Sequence, residues 1–171
     1  MNARAATLEP LLTAGLCGAA VAAALVSQHR FDMQPCPWCV LQRLVFVVIA
    51  ALAFTEACLH GLHKAAGIQR GLAALRTVLA LSGISAAAWQ HFVAAAQASC
   101  NLTWADRLLA FTQLDAWAPD IFQPRASCLE AKAWLLGVPY EFWSGGLFLF
   151  LALMAARSAL QRQPSQASAW A

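Results

Sequence analysis

The chain has 171 residues, of which 61% are hydrophobic and 11% charged, with a formal net charge of +3. A soluble domain carries about 25% charged residues, and so short a chain cannot hide this apolar excess in one aqueous core. The small, scattered positive charge argues against a nucleic-acid surface, and no basic run, phosphate loop or internal repeat occurs. Lipid is the natural solvent, and residues 1–171 read as a single membrane domain.

A membrane-spanning helix needs roughly 20 mostly apolar residues. The first candidate covers about 10–28, since no charged residue falls between Glu9 and His29 and 11–26 is almost wholly Ala, Leu, Val and Gly. It is longer than the apolar region of about 7–15 residues of a signal peptide, and bulky Leu16 ahead of Cys17 argues against lipoprotein cleavage, so an uncleaved span is expected. The second span covers about 37–59 and carries Arg43 and, near its far end, Glu56. The third covers about 72–95 with Arg76 close to its start. The fourth covers about 142–160, with Arg157 near enough to the end to snorkel. The fold class predicted is therefore all-α: a bundle of four transmembrane helices with both termini on one side, a short loop at about 29–36 and a long one at about 96–141.

Orientation follows from where Lys and Arg lie near short loops. Arg4, Lys64, Arg70, Arg76, Arg157 and Arg162 fall on one side, six basic residues. Arg30, Arg107, Arg125 and Lys132 fall on the other, four, and they share it with Asp32, Asp106, Asp115, Asp120, Glu130 and Glu141. The first side, with both termini, is expected to be cytoplasmic, and the long acidic loop to face out. In that loop Thr103 is placed to cap a short helix with Trp104, Leu108 and Phe111 at i, i+4 and i+7. Such a stripe suits the membrane interface, or alternatively packing against the bundle. Pro119, Pro124 and Pro139 break up the rest. 

Six cysteines occur: Cys17, Cys36, Cys39, Cys58, Cys100 and Cys128. Topology puts Cys36 and Cys39 where the second span emerges on the outer face, and Cys100 and Cys128 in the long outer loop. Cys17 and Cys58 fall inside spans and read as small buried hydrophobes. Pro37 suits the first helical position, which makes Cys36 the N-cap and puts Cys39 in the first turn, where free N–H groups and the helix dipole favour an anion. Thiolates of C-x-x-C motifs at helix N-termini are stabilised in this way. Arg43, four residues on, shares the Cys39 face, and an Arg one turn inside a span marks a functional site by default. It suits stabilisation of a Cys39 thiolate or of a reduced acceptor. Zinc, which usually takes four N or S ligands, is the weaker reading of the pair, so no metal is expected. For Cys100 and Cys128 a structural staple across a long loop competes with a redox role.

The tract Gln34-Pro35-Cys36-Pro37-Trp38-Cys39, the Arg four residues later, the four spans, the second cysteine pair and the segment Leu114-Asp115-Ala116-Trp117-Ala118-Pro119 resemble the disulfide bond formation protein B (DsbB) family. The resemblance runs from the first span to about Phe150. It implies a protein thiol–quinone oxidoreductase of the bacterial inner membrane, with a periplasmic thioredoxin-like oxidase (DsbA-like) as partner and ubiquinone, or menaquinone, as acceptor. It further implies that Cys100 forms the mixed disulfide with the partner and that Cys128 is its companion. Cys36 then takes over Cys128, and Cys39 is left facing the quinone. Arg43 and His91 match residues near the quinone. The chain departs from many members in carrying Gln42 rather than Glu before the Arg, and bulky Trp38 between the cysteines. A reductase similar to the vitamin K epoxide reductases, or a non-enzymatic membrane protein with disulfides or bound metal, are the rival readings.

Overall fold

The computed structural model describes residues 3–59, 66–96 and 103–161, so Cys100 and Lys64 lie outside the described residues. Four long helices carry the fold: α1 (Ala3–Phe31), α2 (Pro37–Leu59), α3 (Ala66–Phe92) and α7 (Tyr140–Gln161). Each has an apolar stretch long enough to cross a membrane. Between α3 and α7 lie three short helices, α4 (Trp104–Thr112), α5 (Leu114–Trp117) and α6 (Pro119–Phe122), then a ribbon of β1 (Trp134–Leu135) and β2 (Val138–Pro139).

The expected second span coincides with α2. α1 begins seven residues ahead of the expected boundary and α3 six, because helix-forming residues continue the backbone beyond the apolar run that defines the span. α3 ends at Phe92 and passes into a 3₁₀ turn, Ala94–Ala96, near the expected boundary at 95. The ribbon was not legible beforehand. It turns through Leu136 (φ 54°) and Gly137 (φ 78°), two consecutive left-handed residues of the kind that match the twist of a two-residue hairpin. Leu at the first of these gives no turn signal in the sequence.

Long-range pairs show that the spans alternate in direction. Glu9 at the start of α1, Glu56 at the end of α2 and Arg76 early in α3 meet at one end of the bundle. Gln28 late in α1 and Arg43 early in α2 meet at the other. Near them Gln42 of α2 touches Gln90, late in α3, and Ser144, early in α7. α3 packs along α7, α1 along α2, and α2 along α3, whereas α1 and α7 barely touch. The bundle is thus closed on three sides and loose on the fourth.

Its core stacks Phe46 of α2 on Phe148 of α7, with ring centroids 4.0 Å apart, around Cys17, Ile49, Ala80 and Leu151. Cys17 is buried there as expected, but Cys58 is exposed on the outside of its helix. The correction has a simple cause: a spanning helix in lipid is apolar on its outer face as well, so lying within a span does not place a side chain inside the bundle. Arg76 also differs from its reading as a cation near the loop. It is 1% exposed, holds Glu9 at 3.1 Å and Glu56 at 2.7 Å, and ties three helices together.

The long loop between α3 and α7 sits on α2. Thr103 caps α4 as expected, in a reciprocal capping box with Asp106. Trp104, Leu108 and Phe111 are exposed, while Ala105 and Leu109 form the buried face. Leu109 and Phe122 of α6 enclose Val40, the residue after Cys39. The aromatic stripe is therefore left free rather than spent on the bundle. 

Gly83 sets the closeness of α3 and α7, because a Cβ there would fall 2.6 Å from the Phe148 ring. Gly83→Ala is expected to destabilise the bundle by about 1–3 kcal/mol through overpacking. Gly71→Ala, with nothing within 4 Å of the added carbon, is the matched control. Denaturation of both variants in the same detergent checks this, and equal stability would contradict the packing argument.

Candidate active site

Cys36 begins the site as the N-cap of α2. Its carbonyl accepts the first helical hydrogen bond from the Val40 N–H at 3.0 Å, and its sulfur accepts the Cys39 N–H at 3.3 Å. Pro37, which has no N–H to offer, fills the first helical position. The Cys36 and Cys39 sulfurs lie 2.9 Å apart.

Cys128 arrives from the loop by two devices. The Pro35 carbonyl accepts the N–H groups of Arg125 (2.9 Å) and Ala126 (3.3 Å), which pins the loop beside Cys36. Ser127 and Glu130 then bond reciprocally around a single turn: the Glu130 carboxylate accepts from the Ser127 N–H at 3.0 Å and hydroxyl at 2.8 Å. Those bonds also hold the exposed Glu130 carboxyl below the usual carboxylate range. Cys128 is thereby brought within hydrogen-bonding reach of the Cys36 sulfur. Cys36 stands between two sulfurs, one from its own helix and one from the loop.

That contact sorts the protons. Hydrogen bonds to Cys128 and Cys39, together with burial, push the Cys36 thiol well above the usual thiol range. Cys128 is held below it, first by the hydrogen bond from Cys36 and also by the Trp38 backbone N–H, against the opposing effect of burial. Of the two, Cys128 is the more readily ionised.

Cys39 faces the other way, into a cavity of about 350 Å³ in the half of the bundle that holds the start of α2, lined among others by Ala23 and Ala24 of α1 and by Ser144 and Leu147 of α7. It lies where α1 and α7 diverge, and its small α1 residues leave the space open. This volume falls within the range of small-molecule pockets, about 300–1,000 Å³. Arg43, 6% exposed, also lines it. Its Nη1 donates to Gln28 Oε1 at 2.7 Å and to the Ile121 carbonyl at 3.2 Å, and its Nη2 to the Ala24 carbonyl at 3.5 Å. All three acceptors are neutral, and among the described residues no carboxylate lies in ion-pair range of Arg43. Its buried charge is oriented but not neutralised.

Of the residues singled out in the sequence, Cys36, Cys39, Cys128 and Arg43 are brought together. His91 stands one step back: its Nδ1 is 2.7 Å from Glu141 Oε1, its ring packs on Phe92 and Phe142, and Glu141 rather than His91 lines the cavity. Sequence reasoning missed Gln90, whose Nε2 lies 3.2 Å from the Cys39 sulfur, and Ser144, which bonds Gln42. The one available signal was their polarity near the span ends, which His91 and Glu141 share.

A family model described as disulfide bond formation protein DsbB matches residues 7–157. Among curated relatives, the disulfide bond formation protein B of Neisseria meningitidis is 31% identical over 138 residues, covering 78% of this chain and 83% of its own. That of Aromatoleum aromaticum is 32% identical over 143 residues, covering 82% and 84%. That of Ralstonia nicotianae is 29% identical over 161 residues, covering 90% and 93%.

The proton distribution has a direct readout. With Cys128 lowered and Cys36 raised, the thiolate fraction at neutral pH is larger at Cys128. In the fully reduced chain a soluble alkylating reagent is expected to modify Cys128 before Cys36, with the Cys36 reaction growing only as pH rises. Site-resolved mass spectrometry measures the order, and faster modification of Cys36 at neutral pH would contradict it.

Proposed function

The chain belongs to the disulfide bond formation protein B family, whose members are membrane thiol oxidases supporting disulfide bond formation, and from that premise we propose that its two cysteine pairs relay electrons from a periplasmic DsbA-like dithiol protein to a membrane quinone. Family membership sets aside the readings as a vitamin K epoxide reductase-like enzyme or a non-enzymatic membrane protein. The carrying observation is the position of Cys36, in contact with Cys128 on the loop side and with Cys39 on the cavity side.

Thiol–disulfide exchange proceeds by thiolate attack on a disulfide sulfur. In the proposed relay the partner's thiolate attacks Cys100 of a Cys100–Cys128 disulfide, which releases Cys128 as thiolate. Cys128 attacks Cys36 of the Cys36–Cys39 disulfide, the bond moves to Cys36–Cys128, and Cys39 leaves as a thiolate toward the cavity. The partner's second thiol resolves its mixed disulfide by releasing Cys100, which attacks Cys128 to restore the loop pair and leave Cys36 and Cys39 reduced. A quinone, when bound, accepts the two electrons and two protons that return Cys36 and Cys39 to the disulfide. The balance is one partner dithiol oxidised for each quinone reduced to quinol.

The residues present suit such an acceptor. The cavity is mostly apolar, opens where α1 and α7 part, and offers Cys39 and an uncompensated guanidinium at its polar end. Arg43 would hold developing negative charge there, with Gln28 fixing the guanidinium plane. His91 would act through Glu141, steadying that wall of the cavity. Ubiquinone and menaquinone both fit this chemistry. The proposed setting is the bacterial inner membrane with both termini cytoplasmic, which reporter fusions after Lys64 (inside) and near Gln113 (outside) would check. The exposed α4 stripe then lies at headgroup depth.

Purified full-length protein in lipid nanodiscs is expected to oxidise a DsbA-like dithiol only when quinone is supplied. Arg43→Met is expected to slow the quinone step at least tenfold, about 1.4 kcal/mol, and to leave the partner's single-turnover reaction at Cys100 near wild type. Arg43→Lys should fall between, because Lys keeps the charge without the planar fork of donors. An unchanged quinone step in folded Arg43→Met would remove Arg43 from the site, and quinone-independent oxidation by the wild type would sink the proposed relay.

A further inference from the structure

A chain of hydrogen bonds crosses the bundle and ends on the cavity-side sulfur. The Ser144 hydroxyl of α7 meets Gln42 Oε1 of α2. Gln42 Nε2 donates to Gln90 Oε1 of α3 at 2.7 Å, and Gln90 Nε2 reaches the Cys39 sulfur at 3.2 Å. Gln42 and Gln90 are both buried, so bulk water is poorly placed to correct a mismatch.

The chain has a direction. An amide offers one accepting oxygen and one donating nitrogen, and a hydroxyl at the head supplies one proton. With that proton on Gln42 Oε1, the Gln42 nitrogen must face Gln90 Oε1, and the Gln90 nitrogen must face Cys39. Turning over either amide alone sets two donors or two acceptors against each other in a buried place, which costs free energy. The Ser144 hydroxyl also lies 2.9 Å from the Glu141 carbonyl, and a Cys39 thiolate, which can only accept, selects the order in which that proton goes to Gln42.

We propose that Gln90 is a catalytic residue of this site, donating a hydrogen bond that stabilises the Cys39 thiolate, and that Gln42 and Ser144 are positioning residues that keep the donating end of its amide on the sulfur. The inference rests on Cys39 being the sulfur that faces the acceptor. A thiolate in a low-dielectric cavity is costly unless hydrogen-bonded, and the Cys39 N–H is already turned onto Cys36. Among the described residues Gln90 is the side chain that directs an N–H at Cys39. Arg43, by contrast, acts on it through charge while its N–H groups are held by Gln28, Ile121 and Ala24. The other titratable groups around Cys39 are Cys36 at the helix start, Cys128 from the loop, and Tyr140 and Glu141 on the α7 wall. The α1 wall of the cavity is alanine, and none of these supplies the missing donor.

The test is the pH profile of Cys39 alkylation by iodoacetamide in the reduced full-length chain in nanodiscs, read by site-resolved mass spectrometry at low conversion. Gln90→Met keeps the volume and removes the donor. Cys39 modification at neutral pH should fall about tenfold, the usual effect of one hydrogen bond to a charged group, and the profile should move to higher pH. Gln42→Met leaves Gln90 its N–H but frees its amide to turn, so the shift should be in the same direction and smaller. Modification of Cys128 should stay near wild type in both. If the glutamines merely bridge helices, both variants would melt at lower temperature with the Cys39 profile unmoved, and that result overturns the proposal. Should Gln90→Met fail to fold, the Gln42→Met profile decides alone. Quinone-linked turnover of Cys39→Ser judges the underlying relay separately: retained turnover would sink the relay, whereas the alkylation profile speaks for or against Gln90.

Discussion

A sulfur atom forms one disulfide at a time, and Cys36 is placed within reach of two partners. The N-cap position of α2 fixes it: the helix begins at Pro37, the Cys39 N–H bonds back to the Cys36 sulfur, and the Cys36 carbonyl is committed to Val40. The loop is then fitted to that sulfur through the Pro35 carbonyl, which takes two loop N–H groups and sets Cys128 alongside. Moving the bond from one partner to the other changes which sulfur is left free. In the proposed relay this exclusivity separates a water-facing exchange from a lipid-facing one with a single shared atom.

The bundle around this point separates its buried charges by task. At the far end Arg76 meets two carboxylates, Glu9 and Glu56, and is 1% exposed. A buried guanidinium so paired holds helices in register, and removing one partner would leave an uncompensated charge. At the cysteine end Arg43 meets only neutral oxygens. Its charge is available to whatever occupies the cavity, and that suits a site where negative charge must appear and leave. The Phe46–Phe148 stack and the close approach at Gly83 fill the middle of the bundle, so the two polar ends are kept apart by a dry core.

Local features were legible in the sequence and long-range ones were not. Pro37 announced the start of α2 and hence the N-cap role of Cys36, and Thr103 announced α4. Helix capping and hydrophobic run length act over a few residues and leave a local trace. Gln90 lies 51 positions from Cys39 and Arg76 lies 67 from Glu9, and no local pattern encodes which helix faces meet. Cys58 illustrates the same limit in reverse, since an apolar helix gives no clue to which side is inward. The hairpin at Leu136 and Gly137 was missed because its first turn residue is one that seldom takes positive φ. The structure also decided the loop stripe that the sequence left open, leaving Trp104, Leu108 and Phe111 exposed and burying Leu109 beside it.

The contact between Cys36 and Cys128 is the claim on which the rest stands, and covalent trapping tests it most directly. In full-length Cys39→Ser/Cys100→Ser protein, those two thiols are the ones left at the outer end of the bundle. Mild oxidation in native membranes is expected to join them in one chain, giving a Cys36–Cys128 disulfide as the main product by peptide mapping. Cys36 and Cys128 recovered as separate mixed disulfides with the oxidant, or joined only between chains, would contradict the account.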